Sequence, residues 1–447
     1  MKVTIFGIGY VGLVQAAVLA EVGHHVLCID VNSKKIENLK QGILPIFEPN
    51  LSALITKNFK EGRLRFSTQE KKGVNHGLIQ LITVGTPSDS NGFTDLQSVN
   101  SVVHSIAKYM EDYKVVLNKS TVPVGTTEKM QAIMVNIIKK RGVKLNFDIA
   151  FNPEFLKEGT AVTDCINPDR IIIGTDNKLV LKLIYELYSP FVQNRNFIIL
   201  MDIRSAELTK YTANCMLATK ISFINEISNL AERLGVDIEN VRQGIGSDSR
   251  IGSSFIQPGC GFGGSCFPKD IKALIRASKE MGYHPRLLQA VEDINISQKN
   301  KLPDLIKQHF GNALHGKIFA VWGLSFKPNT NDVREAPSRT LMEILWNAGA
   351  IIQAFDPKSM NEIKLIYGFR KDLKLMKTKE LALQNADGLI ICTEWDDFQN
   401  PDLNLIKKNL KESVIFDGRN LYDPEIIQKE GLIYYGIGRG SSNRKKY

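Results

Sequence analysis

Cysteine is scarce: six in 447 residues, at positions 28, 165, 215, 260, 266 and 392. They form no CxxC pair and show no zinc-ligand spacing, so no metal site is expected. So few cysteines do not make a disulfide scaffold and point to a reducing compartment, the cytoplasm. No apolar run reaches the roughly 18 residues that a membrane span needs, so no membrane partner is expected. The apolar start after Met1-Lys2 resembles a secretory leader, but Gly7, Gly9 and Gly12 interrupt it; strand, turn and helix is the better reading. The sequons at Asn118 and Asn295 then carry no meaning. Short-period repeats and long low-complexity segments are absent. The formal charge is +10, yet no basic stripe with interleaved aromatics occurs, so nucleic acid is not the expected partner. The surplus suits an anionic small substrate. The one basic cluster, Arg444-Lys445-Lys446, falls in a tail, 441–447, expected to be mobile.

What is present is an ordinary globular composition, 43% apolar and 23% charged, long enough for two or three domains. Val3–Phe6 reads as a strand, Gly7 to Gly12 as a turn, Leu13–Val22 as a helix ended by Gly23, and His25–Ile29 as a second strand closed by Asp30. Further strands are expected near Ile79–Val84, Val115–Asn118, Ile149–Phe151, Ile171–Ile173 and Phe197–Leu200. Their alternation with helical stretches predicts a parallel sheet with helices on both faces. From Ile203 to Leu234 there is neither Gly nor Pro. A continuous helix there spans about 45 Å, enough to join two lobes and to form an oligomer contact. Seven glycines follow between Gly244 and Gly264. A second α/β pattern has strands Ile318–Trp322, Ile351–Phe355, Gly388–Cys392 and Val414–Phe416, and a helix Pro337–Trp346. The expected class is α/β, with two Rossmann-like doubly wound domains joined by a long central helix. The domains are an N-terminal nucleotide-binding one (1–200), a central helical region (201–300) and a C-terminal one (301–440).

Gly7, Gly9 and Gly12 with Tyr10 and Val11 form a phosphate-binding turn. The first glycine allows a tight turn, the second lets backbone approach a pyrophosphate, and the third lets helix pack on strand. The helix N-terminus supplies free N–H donors. Asp30 suits a ribose diol and repels a 2′-phosphate, which favours NAD over NADP. Far downstream, Pro268 cannot donate an N–H and suits a first helical turn. Cys266 then sits at or just before a helix N-terminus, where the dipole and Lys269 would favour a thiolate. A buried structural cysteine and a Cys260–Cys266 redox pair are the competing readings. Lys210 and Asn214 are four apart and share a helix face that continues through Leu217 and Ile221. They suggest an inward-pointing oxyanion site, against a lysine reaching for solvent. Glu154 and Glu158, taken on spacing alone, read as a solvated charge pair.

Together these segments resemble the UDP-glucose 6-dehydrogenase family over nearly the whole chain. The likeness rests on Gly7-x-Gly9-Tyr10-Val11-Gly12, Thr86-Pro87, Ser120-Thr121-Val122-Pro123, Asn152-Pro153-Glu154-Phe155-Leu156 with Glu158-Gly159, and Lys210-Tyr211-x-x-Asn214. It continues in Gly261 to Asp270, Phe326-Lys327, Arg334-Glu335 and Asp417-Gly418-Arg419. The resemblance implies NAD-dependent four-electron oxidation of UDP-glucose to UDP-glucuronate. Cys266 would carry a thiohemiacetal and then a thioester. Lys210 and Asn214 would stabilise the oxyanion, Asp270 and Thr121 would manage a water, and Glu154 would assist hydrolysis. It further implies NAD contacts from Asp30, Lys35, Thr86, Thr121, Glu158, Lys269 and Arg334. The sugar nucleotide would meet Glu154, Phe155, Leu156, Lys157, Glu158, Lys210, Asn214, Arg250, the loop Phe255-Ile256-Gln257-Pro258-Gly259, Gly263, Phe326, Lys327 and Arg419. A homo-oligomer, dimer or higher, is expected through the long helix.

Three departures stand out. Asn50 replaces a usual glycine, which a φ > 0 turn tolerates. Cys260 sits in the loop, where it could bring oxidation sensitivity, and Trp322 is bulkier than usual. The rival substrate is GDP-mannose. The rival classes are a two-electron hydroxyacid dehydrogenase and a non-catalytic sugar-nucleotide binder.

Overall fold

The computed structural model describes residues 1–89, 91–191 and 198–439; the tail 441–447 lies outside them. The chain divides into two compact units, Met1–Ala213 and Asn214–Tyr447. The first unit carries strands β1 Lys2–Phe6, β2 His25–Ile29, β3 Leu64–Ser67, β4 Ile79–Ile82, β5 Lys114–Asn118, β6 Phe147–Phe151, β7 Ile171–Gly174 and β8 Ile198–Met201. Among the described residues they form one sheet in the order β3-β2-β1-β4-β5-β6-β7-β8. The register is parallel except where β6 meets β7 antiparallel, at Phe151 and Gly174. The expected all-parallel sheet is thus corrected at one edge: β7 and β8, parallel to each other, run against the rest. The helix between β6 and β7 has only six residues, Ala161–Ile166.

Both faces of this sheet are covered. Along β1, Val3 and Ile5 enter one apolar cluster with Leu13 and Ala17; Phe6 enters another with Ile82 and Val116. Burial on two faces explains why these strands read as continuous apolar runs, without polar alternation.

The second unit repeats the plan with β9 Ile318–Trp322, β10 Ile351–Phe355, β11 Leu373–Leu375, β12 Gly388–Ile391, β13 Val414–Asp417 and β14 Ile433–Gly436. The order is β11-β10-β9-β12-β13-β14. Phe319 and Val321 face one cluster, Ala320 and Trp322 the other. The opening turn of β1 recurs after β9. Gly7 (φ +93) donates its N–H to Ile29 O, and Gly323 (φ +88) to Phe355 O, both at 2.9 Å. Ile8 N donates to Asp30 Oδ2 and Leu324 N to Asp356 Oδ2. The two aspartates differ in load. Asp30 accepts three hydrogen bonds, from Ile8 N, Asn32 N and Lys35 Nζ. Asp356 accepts six, from the N–H groups of Leu324, Ser325, Lys358 and Ser359, from Ser325 Oγ and from Trp395 Nε1.

The helix Ile203–Leu234 is continuous for 32 residues, as the absence of Gly and Pro predicts. Its residues through Ala213 belong to the first unit and those from Asn214 to the second. Asn50 holds φ +65 ahead of the helix Leu51–Lys60, so the glycine-to-asparagine departure keeps the left-handed turn. Among the described residues no helix is long and apolar enough to cross a membrane, and no group of His, Cys, Asp and Glu is gathered to hold a metal ion.

Trp322 is accommodated by stacking on Phe398, with centroids 5.2 Å apart, and by donating Nε1 to Lys379 O at 2.9 Å. Its truncation, Trp322→Ala, leaves a large cavity and removes the donor to the Lys379 carbonyl. The expected loss is about 3–5 kcal/mol, read as a lowered denaturation midpoint in urea. A midpoint unchanged from wild type would refute this packing.

Candidate active site

The glycine turn in the first unit divides its work between three positions. A Cβ on Gly7 would lie 2.7 Å from Val84 Cα, and one on Gly12 would lie 2.0 Å from Gly7 O. Both positions are closed to any other residue. A Cβ on Gly9 would meet nothing within 4 Å. Gly9 is also the N-cap of the helix Tyr10–Glu21, which has no side-chain cap and no acidic residue in its first turn. The first N–H groups of that helix, and its positive dipole end, are therefore free to serve an anion approaching over Gly9. Thr83 fastens the turn by donating Oγ1 to Gly7 O at 2.8 Å. Tyr10 and Val11 are half-buried. The Tyr10 hydroxyl bonds the Glu48 carboxylate and accepts from Gly159 N, which ties the turn to the segment holding Glu158.

At the end of β2, burial would raise the Asp30 carboxyl. The N–H groups of Asn32 and Ile8 and the Lys35 ammonium outweigh that, and its pKa falls below the usual carboxylate value. The ion pair with Lys35 measures 3.0 Å. At the ends of β4 and β5, Thr86 Oγ1 donates to Thr121 O at 2.7 Å, so these two expected contacts are neighbours. The order of strands around β1 makes this crevice the switch point of the sheet, where ligands of such folds bind. An ADP-containing cofactor fits these residues: an open glycine, an uncapped helix and an ionised aspartate.

Glu154 and Lys210 come together. Lys210 is 3% and Glu154 9% exposed. Lys210 Nζ lies 2.9 Å from Glu154 Oε1 and donates to Glu154 O at 2.5 Å. Lys210 does not reach for solvent, and Glu154 is not a solvated charge. Burial pushes the Glu154 carboxyl upward; Lys210, Leu156 N–H and Lys119 outweigh it, and the net direction is down. Lys210 also lies 5.2 Å from the centre of the Phe155 ring. Leu156 and Glu158 are half-buried, and the exposed Lys157 pairs with Asp164.

In the second unit, Cys266 is the N-cap of the helix Phe267–Glu280, with Pro268 in its first turn. All six cysteines are free; five are buried and Cys266 alone is partly exposed. Burial pushes the thiols of Cys165 and Cys215 up to about 12 and raises Cys28, Cys260 and Cys392 too. Cys260 is 1% exposed and packs against Gly418, so the loop's expected oxidation sensitivity and the redox pair find no support. Two glycines let the Cys266 loop lie flat. A Cβ on Gly263 would sit 2.4 Å from Glu335 O; one on Gly264 (φ +86) would sit 2.7 Å from the Phe326 ring. Gly264 N donates to Arg334 O at 2.7 Å.

Asp270 is almost fully buried and accepts from Asn214 Nδ2 at 2.6 Å and from Lys269 Nζ at 2.5 Å. Lys269 thus pairs with the neighbouring Asp270. Gly259, Phe326 and Arg419 converge. Arg419 donates Nε to Cys392 O and an Nη to Phe326 O; a Cβ on Gly259 would lie 2.9 Å from its Nη1. Phe255 holds φ +63, rare for an aromatic residue. Ile256 and Pro258 are buried, Gln257 exposed. Lys327 lies 5.5 Å from the centre of the Phe326 ring. The side chains of Arg250 and Arg334 are not brought to these groups: both are exposed and fork onto Asp248 and Asp332.

Sequence reasoning missed the buried amides that pin this loop. Asn225 accepts from Gly259 N, Gln298 donates to Gly259 O, and Asn295 brackets Phe262 from both sides. An isolated amide on a helix carries no spacing signal that marks it as inward.

Residues 1–192, 204–297 and 320–424 match the NAD binding, central and UDP binding domains of the UDP-glucose/GDP-mannose dehydrogenase family. The chain is 41% identical over 442 residues to the UDP-glucose 6-dehydrogenase of Pseudomonas aeruginosa, covering 98% of each. It is 42% identical over 439 residues to UDP-glucose 6-dehydrogenase YwqF of Bacillus subtilis, again 98% of each. Among solved structures, a UDP-glucose dehydrogenase from the hyperthermophilic archaeon Pyrobaculum islandicum superimposes with a TM-score of 0.88 at 34% identity over 98% of both chains.

The burial pattern predicts selective alkylation. Brief treatment of the native protein with iodoacetamide at neutral pH is expected to add one carbamidomethyl group, on Cys266, with the other five thiols reacting only after denaturation. Peptide mass mapping decides; a native adduct elsewhere of equal yield contradicts the picture.

Proposed function

The chain belongs to the UDP-glucose/GDP-mannose dehydrogenase family and is an NAD-dependent oxidoreductase, and from that premise we propose that it oxidises the C6 alcohol of UDP-glucose to the carboxylate of UDP-glucuronate. The observation that carries the reading is Cys266, the one cysteine not buried, standing at a helix N-terminus. Asp30, Lys35, Thr86 and Thr121 at the glycine turn, with Glu158, Lys269 and Arg334, would hold NAD⁺, which would supply the hydride acceptor for each of two oxidations. The chain's own groups do the rest. Cys266 Sγ adds to the aldehyde carbon left by the first oxidation, giving a thiohemiacetal that still bears a transferable hydrogen. The second oxidation leaves a thioester. Water cleaves its C–S bond, freeing the thiol and the acid. Lys210 and Asn214 supply positive charge and an N–H for the oxyanion. Glu154, already ionised, accepts the proton of the attacking water, and Asp270 and Thr121 order water for the alcohol step. Lys327, Arg419 and Arg250, with the loop 255–259 and Gly263, recognise the nucleotide; the surplus of basic residues suits its diphosphate.

UDP-glucose is preferred over GDP-mannose because the relatives named above at 41% and 42% identity are UDP-glucose 6-dehydrogenases, and because Phe267 and the Phe262-Gly263-Gly264 run favour that substrate by resemblance. The expected assay outcome is two NADH per UDP-glucose, with Cys266→Ser losing at least a thousandfold in overall turnover while still binding the nucleotide. Turnover of GDP-mannose but not UDP-glucose moves the assignment to the other branch of the family. One NADH per sugar removes the thioester.

The reading includes a homo-oligomer. The long helix exposes Met216, Phe223 and Leu230 at 59%, 51% and 48%, spaced by seven, a heptad stripe suited to a second helix. Light scattering is expected to give a mass of at least two chains, and Phe223→Glu to shift it toward one. A wild-type monomer at micromolar concentration rules this out.

A further inference from the structure

Among the buried charged residues to which the roles above assign nothing is a lysine beside Glu154. Lys119 follows β5 and is 5% exposed. Its Nζ donates to Asn152 Oδ1 at 2.9 Å and to Tyr188 Oη at 3.3 Å. Tyr188 Oη donates to the same Asn152 Oδ1 at 2.5 Å, and Asn152 Nδ2 donates to Ile172 O at 2.9 Å. Asn152 directly follows β6 and begins Asn152-Pro153-Glu154, so the ammonium, the phenol and the amide together hold the segment from which Glu154 hangs. Both hydrogen-bond partners of Lys119 are neutral. A buried ammonium with neutral partners needs a nearby anion to offset its lost hydration, and Glu154 and Lys119 do act on each other electrostatically.

Beside that segment lies a cavity of about 130 Å³ lined by Lys119, Asn152, Glu154, Tyr188, Gln15 and Arg170, among others. It is polar and large enough for water. Gln15 Nε2 is buried and has no hydrogen-bond partner.

We propose that Lys119 is a positioning residue for the hydrolysis step: held by Asn152 and Tyr188, its ammonium fixes the segment that carries Glu154 and adds to Lys210 in favouring the buried carboxylate. This rests on the reading of Glu154 as the proton acceptor in thioester hydrolysis. The charged and titratable groups around the pair come from several elements. Lys210 comes from the long helix. Cys165, from the helix Ala161–Ile166, is pushed up to about 12 by burial. Tyr188, ending the helix Lys178–Tyr188, has its phenol pushed well up by burial. Asp164, Lys157, Asp169 and Arg170 line the cavity. Burial brings Lys119 itself down to about 8, so at neutral pH it is mostly charged and supports Glu154.

The sign follows. Removing the ammonium raises the Glu154 pKa, and the base is then lost at a higher pH. In Lys119→Met the acid limb of the kcat–pH profile is expected to move up by about one pH unit, with KM for UDP-glucose within about twofold. The acyl group on Cys266 should accumulate at pH 6 by intact-protein mass spectrometry. Lys119→Arg keeps the charge and is expected to return the limb to the wild-type position. Tyr188→Phe, which removes only the tethering hydroxyl, should move the limb the same way by less, and gives a reading if the methionine variant does not fold. A wild-type acid limb in Lys119→Met, or in Tyr188→Phe if the former is unfolded, overturns the proposal; so does an arginine variant that matches methionine. A wild-type enzyme that forms no acyl group on Cys266 from UDP-glucose sinks the functional reading itself, and this role with it.

Discussion

The second unit depends on two absent side chains. Cys266 caps its helix where it does because Gly263 and Gly264 let the preceding loop lie against the backbone of Arg334 to Ala336 and against the Phe326 ring. A methyl group at Gly263 would overlap backbone, which no rotamer change relieves, and one at Gly264 would meet the Phe326 ring at a backbone angle (φ +86) that favours glycine. The loop is then fixed from the other side by amides: Asn225 and Gln298 on Gly259, Asn295 on Phe262. Buried polar groups that satisfy one another in this way specify a single arrangement. The thiol inherits that rigidity, together with the dipole of the helix it begins.

The first unit solves a different problem, holding charge in a dry place. Lys210 and Glu154 neutralise each other at 2.9 Å with almost no solvent contact. Such a pair is rarely a net source of stability, because desolvation takes back most of the attraction. Its value is geometric: it orients the Glu154 carboxylate, on the segment after β6, against the Lys210 ammonium of the long helix. Asp30 shows the milder version, its side chain 10% exposed and held by two N–H groups and one lysine.

Much of this was legible from residue order, and the pattern of misses is physical. The strands His25–Ile29, Ile318–Trp322 and Ile351–Phe355 and the helix Ile203–Leu234 were bounded correctly, because apolar runs closed by Gly or Asp and the long gap between Gly and Pro are sharp signals. The unforeseen strands Leu64–Ser67, Leu373–Leu375 and Ile433–Gly436 all lie at sheet edges, where partial exposure admits Arg65 and Lys374 and blurs the apolar run. The reversed direction of β7 and β8 was invisible because strand polarity leaves no mark in composition. At the site, the glycine turn, Asp30 and Cys266 were readable from spacing. The partnership of Lys210 with Glu154, of Asn214 with Asp270 and of Lys269 with Asp270 was not, since the first two pairs join residues 56 apart and the last could not be told from a free neighbour.

The repeated turn of the two sheets has a further meaning. An ionised carboxylate offers about four lone-pair directions. Asp30 uses three and keeps acceptor capacity for one visiting hydroxyl, whereas Asp356, loaded with six donors, has none left. One architectural idea, used twice in the same polypeptide, thus ends in two kinds of carboxylate: the first keeps room to accept from an outside hydroxyl, while the second is wholly committed to the protein's own donors.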